Sequence, residues 1–232
     1  MLAVISGASR GIGLAVAEKL ASKNFNLALC ARSLDELNKH KKHLEKEQGI
    51  EVYVQQVDVT DKTQVKSFAE AVLNKWDKVD ILFNNAGDFQ PGDLHEEEDG
   101  QLEKLMETNL YSAYHLTRSI LPGMMPHKSG HIFNMCSVAS ILAYPNSGSY
   151  TITKFALLGF SKSLREEMKA HRINVTSLIA GATYTDSWSG SGHPEERFMR
   201  SSDIAQSLYD AYAIGERTCV EEILLRPVDG DI

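Results

Sequence analysis

The chain has 232 residues, 43% of them hydrophobic and 24% charged, with a net charge of −7. That mixture suits one ordinary globular domain, spanning 1–232, with a substantial core. The negative balance argues against nucleic acid as a main partner, because binding phosphates needs a basic footprint.

No stretch reaches the ~18 apolar residues of a membrane span. The apolar N-terminus is interrupted by Gly7, Arg10, Gly11 and Glu18, so neither a membrane anchor nor a targeting segment is expected. The scattered cysteines Cys30, Cys136 and Cys219 read as reduced residues of a cytoplasmic protein, not a disulfide framework. The histidines show no metal-ligand spacing. His40 and His43, set among lysines, read as a solvated helix face.

In chain order, Leu2–Ser6 is a short apolar run that suits a strand buried on both faces. Gly7, Gly11 and Gly13 follow in GASRGIG, and a helical pattern covers 12–23. Glycines at a strand-to-helix turn let the backbone approach a ligand, and the helix N-terminus offers free N–H groups to a phosphate. Asn26–Ala31 is the second strand. Where an acid would hydrogen-bond an adenosine 2′-hydroxyl, the chain has Ala31, Arg32 and Ser33. With Arg10 in the glycine loop, two guanidinium groups suit a 2′-phosphate, which favours NADP over NAD.

A charged helix covers 33–48 and a strand 51–57. Asp58, at that strand's end, could hold an adenine amino group or cap the next helix (61–76), as could Thr60 or Asp61. The fourth strand, 79–83, runs into Asn84, Asn85, Ala86 and Gly87, residue types that fit a ligand crossing the sheet edge. The acidic run 96–99 reads as solvated. Helical patterns at 101–109 and 110–125 read as one element with a break near Asn109. His131–Ser137 is the fifth strand, and 149–172 a long helix on which Tyr150 and Lys154, four apart, share a face. A cation beside a phenol favours the phenolate and brings a pKa of about 10 toward neutrality. A sixth strand at 173–180, a polar lid at 184–198, a helix at 201–213 and a last strand at 218–226 complete an α/β pattern of about seven strands with helices on both faces.

Ser-Gly-x-x-x-Gly-x-Gly at 6–13, Asn-Asn-Ala-Gly at 84–87, Asn109, Ser137 and Tyr-x-x-x-Lys at 150–154 stand in one order on alternating strands and helices. The whole chain thereby resembles the short-chain dehydrogenase/reductase family, in general form its 3-oxoacyl-carrier-protein and sepiapterin reductases. The resemblance implies a doubly wound parallel sheet (Rossmann) and an NADPH-dependent reductase of a small-molecule carbonyl. It implies Ser137 holding the carbonyl oxygen, Tyr150 as proton donor, Lys154 serving Tyr150 and the nicotinamide ribose, and Asn109 holding a water that links Lys154 to solvent. It assigns cofactor contacts to Gly7, Ser9, Arg10, Gly11, Ile12, Gly13, Arg32, Asp58, Val59, Asn85, Ala86, Gly87, Tyr150, Lys154, Gly181 and Thr183.

The resemblance also implies a homodimer or homotetramer in which the long helix and the one before it form an interface. Ala180 stands where the family usually has proline, which predicts a looser turn beside the nicotinamide. Phe89, Tyr144, Trp188 and His193 are expected to line the substrate pocket. No basic cluster near the lid points to a carrier-protein partner, and the tail 227–232 is expected at a subunit interface. The alternative is an NADP-binding sensor without catalysis; an epimerase would need a larger substrate domain after the sixth strand.

Overall fold

The computed structural model describes residues 1–188, 192–215 and 217–231. Seven strands form one parallel sheet: β1 (Leu2–Ser6), β2 (Asn26–Ala31), β3 (Val52–Gln56), β4 (Ile81–Asn84), β5 (His131–Ser137), β6 (Asn174–Ala180) and β7 (Glu222–Leu225), ordered β3-β2-β1-β4-β5-β6-β7. The order reverses between β1 and β4, so their carboxyl ends open the crevice in which such sheets bind ligands.

Strand alternation builds two cores. Ala3 and Ile5, Leu27 and Leu29, and Ile81 and Phe83 face one side, where they meet α1 (Gly11–Ala21), α2 (Leu34–Gln48) and α7 (Ser201–Ala213). Leu2 and Val4, Ala28 and Cys30, and Leu82 face the other, against α3 (Lys62–Lys75), α5 (Ser112–Ile120) and α6 (Gly148–Met168). Both faces are thus covered, which explains the near-continuous apolar strands. Burial pushes the Cys30 thiol up to about 12, as an inert core thiol.

The expected break near Asn109 is a π-helical turn, Glu107–Tyr111, joining α4 (Gln101–Met106) to α5 without interrupting the helix. Such a turn changes the face on which its residues project, and it often marks a functional site. β4 and β7 are shorter than their apolar runs. In β7, Glu222–Leu225 pairs with β6, and among the described residues no strand pairs with its other edge.

Candidate active site

The glycine loop follows β1 directly. Gly7 and Gly11 have φ of +66° and +57°, backbone that side-chain-bearing residues rarely adopt. At Gly13 the constraint is space: a Cβ would lie 2.3 Å from the Gly7 carbonyl oxygen and 2.6 Å from Asn85 Nδ2. Asn85 ties the loop to β4, since its Nδ2 donates to the Ser6 and Gly7 carbonyls. The N–H groups of Asn85 and Ala86 both donate to Ser6 Oγ.

The chain caps α2 with Ser33 and α3 with Asp61, yet α1 begins at Arg10 with no side-chain cap and no acid in its first turn. Its N–H groups remain available to an anion, as a dinucleotide pyrophosphate requires. Ile12 packs on the core beneath. Val59 packs on the opposite core, after β3.

Around the adenosine end, Arg32 is exposed, and its carbonyl accepts from Gln56 Nε2. Arg10 is exposed too but pairs with Asp186 at 3.0 Å, a contact between the glycine loop and the lid that sequence reading missed. Asp58 does not cap α3. Asp61 does, and Asp58 Oδ1 instead takes the N–H and hydroxyl of Thr60. His43 is exposed, but His40 is half-buried: its Nε2 lies 3.0 Å from the Ser9 carbonyl oxygen, a contact from α2 to the glycine loop.

The catalytic candidates converge at the carboxyl ends of β4 and β5. Lys154, only 6% exposed, donates to the Met135 carbonyl at 2.9 Å, and its Nζ lies 5.6 Å from the centre of the Tyr150 ring. A Cβ on Gly87 would sit 3.2 Å from Asn109 Oδ1 and 3.6 Å from Lys154 Nζ, so this glycine keeps open the space between them. Ser137 ends β5; its Oγ accepts the Ala139 N–H, which leaves the hydroxyl proton free to donate. The Ser137 N–H in turn donates to Ser140 Oγ, closing a 3-10 turn that packs on α6.

Asn109 departs from expectation. Both its amide protons are used inside the protein, on the Asp88 carbonyl and Thr153 Oγ1, and Oδ1 accepts the Asp88 N–H at 2.7 Å. With both amide protons spent, a water toward Lys154 is offered an acceptor, the second lone pair of Oδ1 or a main-chain carbonyl of the π-helical turn. The π-helical turn is what aims this amide at loop 85–100.

In that loop Glu96, Glu98 and Asp99 are exposed, as expected of a solvated run, but Glu97 is half-buried. The Glu97 carboxylate accepts the Ser149 N–H at 2.9 Å through Oε1 and the Ser149 hydroxyl through Oε2. It therefore caps the first turn of α6 next to Tyr150, while Ser147, at the N-cap position, makes no side-chain cap. Gly92 allows this: a Cβ there would meet Glu97 Cγ at 2.6 Å. Between the two anchors, Asn109 and Glu97, the loop places Phe89 edge-on to Tyr150, with ring centres 4.9 Å apart.

Beyond β6 the expectations divide. Ala180 stays in register between Ser137 and Leu225, and the Gly181 N–H donates to the Leu225 carbonyl at 2.8 Å. Gly181 lies under the tail rather than beside open space, for a Cβ there would be 3.1 Å from Pro227. Thr183 is buried, with its hydroxyl on the Gly181 carbonyl. Thr185 instead faces the glycine loop, 3.2 Å from a Cβ built on Gly11.

Tyr144 gives its hydroxyl proton to Asp231 at 2.7 Å, so the tail closes on its own chain at this point. Burial and that carboxylate raise the Tyr144 pKa. Trp188 and His193 gather around Phe198. Lid residues 189–191 and Ile232 of the tail lie outside the described residues. Among the described residues no cluster could hold a metal ion, and no helix is long and apolar enough to cross a membrane.

This geometry agrees with what the chain is similar to. The profile of the short chain dehydrogenase family matches residues 1–196. The chain belongs to the short-chain dehydrogenase family. It is 31% identical over 237 residues to a protein of Chlorobaculum tepidum named sepiapterin reductase, covering 99% of this chain and 97% of that one. It is 34% identical over 186 residues to a 3-oxoacyl-(acyl-carrier-protein) reductase of Haemophilus influenzae, covering 80% of this chain and 75% of the other. Among solved structures, an alcohol dehydrogenase of the archaeon Thermococcus sibiricus, complexed with 5-hydroxy-NADP, superposes with a TM-score of 0.91. The two are 32% identical, with 98% of this chain and 96% of that one covered.

Proposed function

We propose that this protein is an NADP-dependent oxidoreductase that reduces a carbonyl to an alcohol, and runs the reverse reaction, with Tyr150 as the proton donor and acceptor. The observation that carries the reading is the buried Lys154 on α6, its Nζ 5.6 Å from the centre of the Tyr150 ring and bonded to the Met135 carbonyl on β5, the strand that ends at Ser137. The uncapped α1 terminus, the glycine loop and the arginine pair Arg10 and Arg32 support NADP as the cofactor, and Thr185 is better placed than Thr183 to contact it. When bound, NADPH supplies the hydride.

The residues supply the rest. The Ser137 hydroxyl donates to the carbonyl oxygen and orients it. Tyr150 delivers a proton to that oxygen, and the Lys154 ammonium stabilises the charge left on the phenol oxygen. Asn109 and Glu97 hold loop 85–100 so that Phe89 braces the Tyr150 ring. A homo-oligomer is supported by exposed apolar side chains on the outer faces of the long helices: Tyr111, Tyr114, Ile152 and Phe155.

Loss of NADPH absorbance over a panel of ketones and aldehydes tests the reading, with NADH in parallel. Turnover with NADPH well above NADH is expected. A protein that binds NADPH and turns over none of the panel would be a sensor instead.

A further inference from the structure

We propose that the carbonyl compound reduced here is an uncharged, largely apolar small molecule, not a thioester carried on a phosphate-bearing or acidic carrier; this rests on the carbonyl-reductase reading above. Three loops leave the carboxyl ends of β4, β5 and β6 at the edge where Tyr150 sits. Loop 85–100 has no lysine or arginine and carries Asp88, Asp93 and the acidic run 96–99. Loop 138–147 has no charged residue at all. Of the arginines near the lid and tail, Arg10 pairs with Asp186 at 3.0 Å, Arg197 lies 3.6 Å from Asp229 and Arg226 3.2 Å from Asp231, while Arg200, just past the lid, is exposed.

The acids are not remote from the chemistry. Glu97 is hydrogen-bonded to Ser149, the residue before Tyr150, so exposed Glu96, Glu98 and Asp99 flank an anchor of the catalytic helix. Over a Debye length of ~10 Å their field is only partly screened. A negative mouth slows the approach of an anion, and loops 85–100 and 138–147 supply no lysine or arginine to hold its phosphates. The same rim exposes apolar surface: Phe89 is 46% exposed while touching Tyr150, Leu94 is 63% exposed, and Leu142 45%. Such a rim favours an apolar ketone or aldehyde, although one relative is named for a substrate on a carrier protein.

The test presents one 3-oxoacyl group three ways, as an ethyl ester, an N-acetylcysteamine thioester and a coenzyme A thioester, with saturating NADPH. At low salt kcat/KM for the N-acetylcysteamine thioester should exceed that for the coenzyme A thioester by ~10-fold or more, and about 0.5 M NaCl should narrow the gap. Glu96→Lys with Glu98→Lys should raise the coenzyme A value ~10-fold at low salt and leave the uncharged thioester within about twofold. Lengthening the acyl chain should raise kcat/KM roughly threefold per methylene. A preference for the coenzyme A form, a ratio that neither salt nor the lysines move, or a chain-length series that is flat would overturn the inference alone. Failure of all three compounds and of simple aromatic ketones to oxidise NADPH would overturn the parent reading with it.

Discussion

Replacing Glu97 with alanine should weaken both the fold and the chemistry, and the structure gives the size of each effect. Ser149 is 1% exposed, and its N–H and hydroxyl both donate to this one carboxylate. Leaving a buried donor unpaired costs about 1–3 kcal/mol. An acid at a helix N-terminus contributes about 0.3–1 kcal/mol more. The Ser149 hydroxyl can turn to another acceptor, so roughly 2–4 kcal/mol is expected in all. For a chain of this length that lowers Tm by roughly 5–15 °C.

The kinetic effect follows from position. Glu97 anchors the turn that presents Tyr150, and a misplacement of about 1 Å can cost ~100-fold in rate. Glu97→Ala should lower kcat ~10-fold or more while the Kd for NADPH, whose proposed site is the glycine loop, stays within about twofold. Glu97→Gln keeps an acceptor for the Ser149 N–H and should recover much of both losses. Thermal unfolding and steady-state kinetics on the two variants decide it. An alanine variant with unchanged Tm and kcat would refute the assignment of Glu97 as the cap of the catalytic helix.

Other outcomes follow from single contacts. Gly13→Ala puts a methyl 2.3 Å from the Gly7 carbonyl, so the glycine loop must open and NADPH affinity should fall ~10-fold or more, measured by fluorescence titration. Arg32→Ala should weaken NADPH and leave NADH nearly unchanged, because only NADPH carries the 2′-phosphate; equal losses would remove Arg32 from that site.

His131 is buried between Phe133 and Thr176, and burial pushes its pKa down to about 3. Unfolded, it titrates near 6.5, so the unfolded chain binds the extra proton first. Its contribution is complete above pH ~6.5 and is lost as pH falls toward ~3, by about 1.4 kcal/mol per unit, or about 2 kcal/mol at pH ~5. His131→Gln should flatten urea-unfolding stability against pH over that window. An unchanged slope would show that His131 is not the group responsible.

The fold was legible because its signals are local. Apolar runs such as Leu2–Ser6 lie on a strand that needs both faces covered, and Ser33 and Asp61 sit where helices start. The residues proposed for the site could be picked out because most fall at the end of a strand or on the first turns of α6; Asn109, on the π-helical turn, does not. What stayed hidden depends on long-range partners. Glu97 looked solvated because Ser149 lies 52 residues away, and the bond of Tyr144 to Asp231 was invisible because it spans 87 residues. The π-helical turn could not be told from a break, since periodicity slips in either case. At 181–185 a hydroxyl two residues either way was indistinguishable until Thr183 proved buried and Thr185 faced Gly11. β7 was overread mainly at its start, 218–221, because its ladder with β6 runs only over Glu222–Leu225.

The most direct test of the central claim is Tyr150→Phe, assayed for both binding and turnover. The ring and its contact with Phe89 remain, and only the phenol oxygen is removed. The Kd for NADPH should stay within about twofold, while kcat on the best carbonyl of the panel falls ~100-fold to ~10,000-fold, the range a positioned proton donor supplies. A variant that binds NADPH and still turns over at near-normal rate would show that the proton comes from elsewhere.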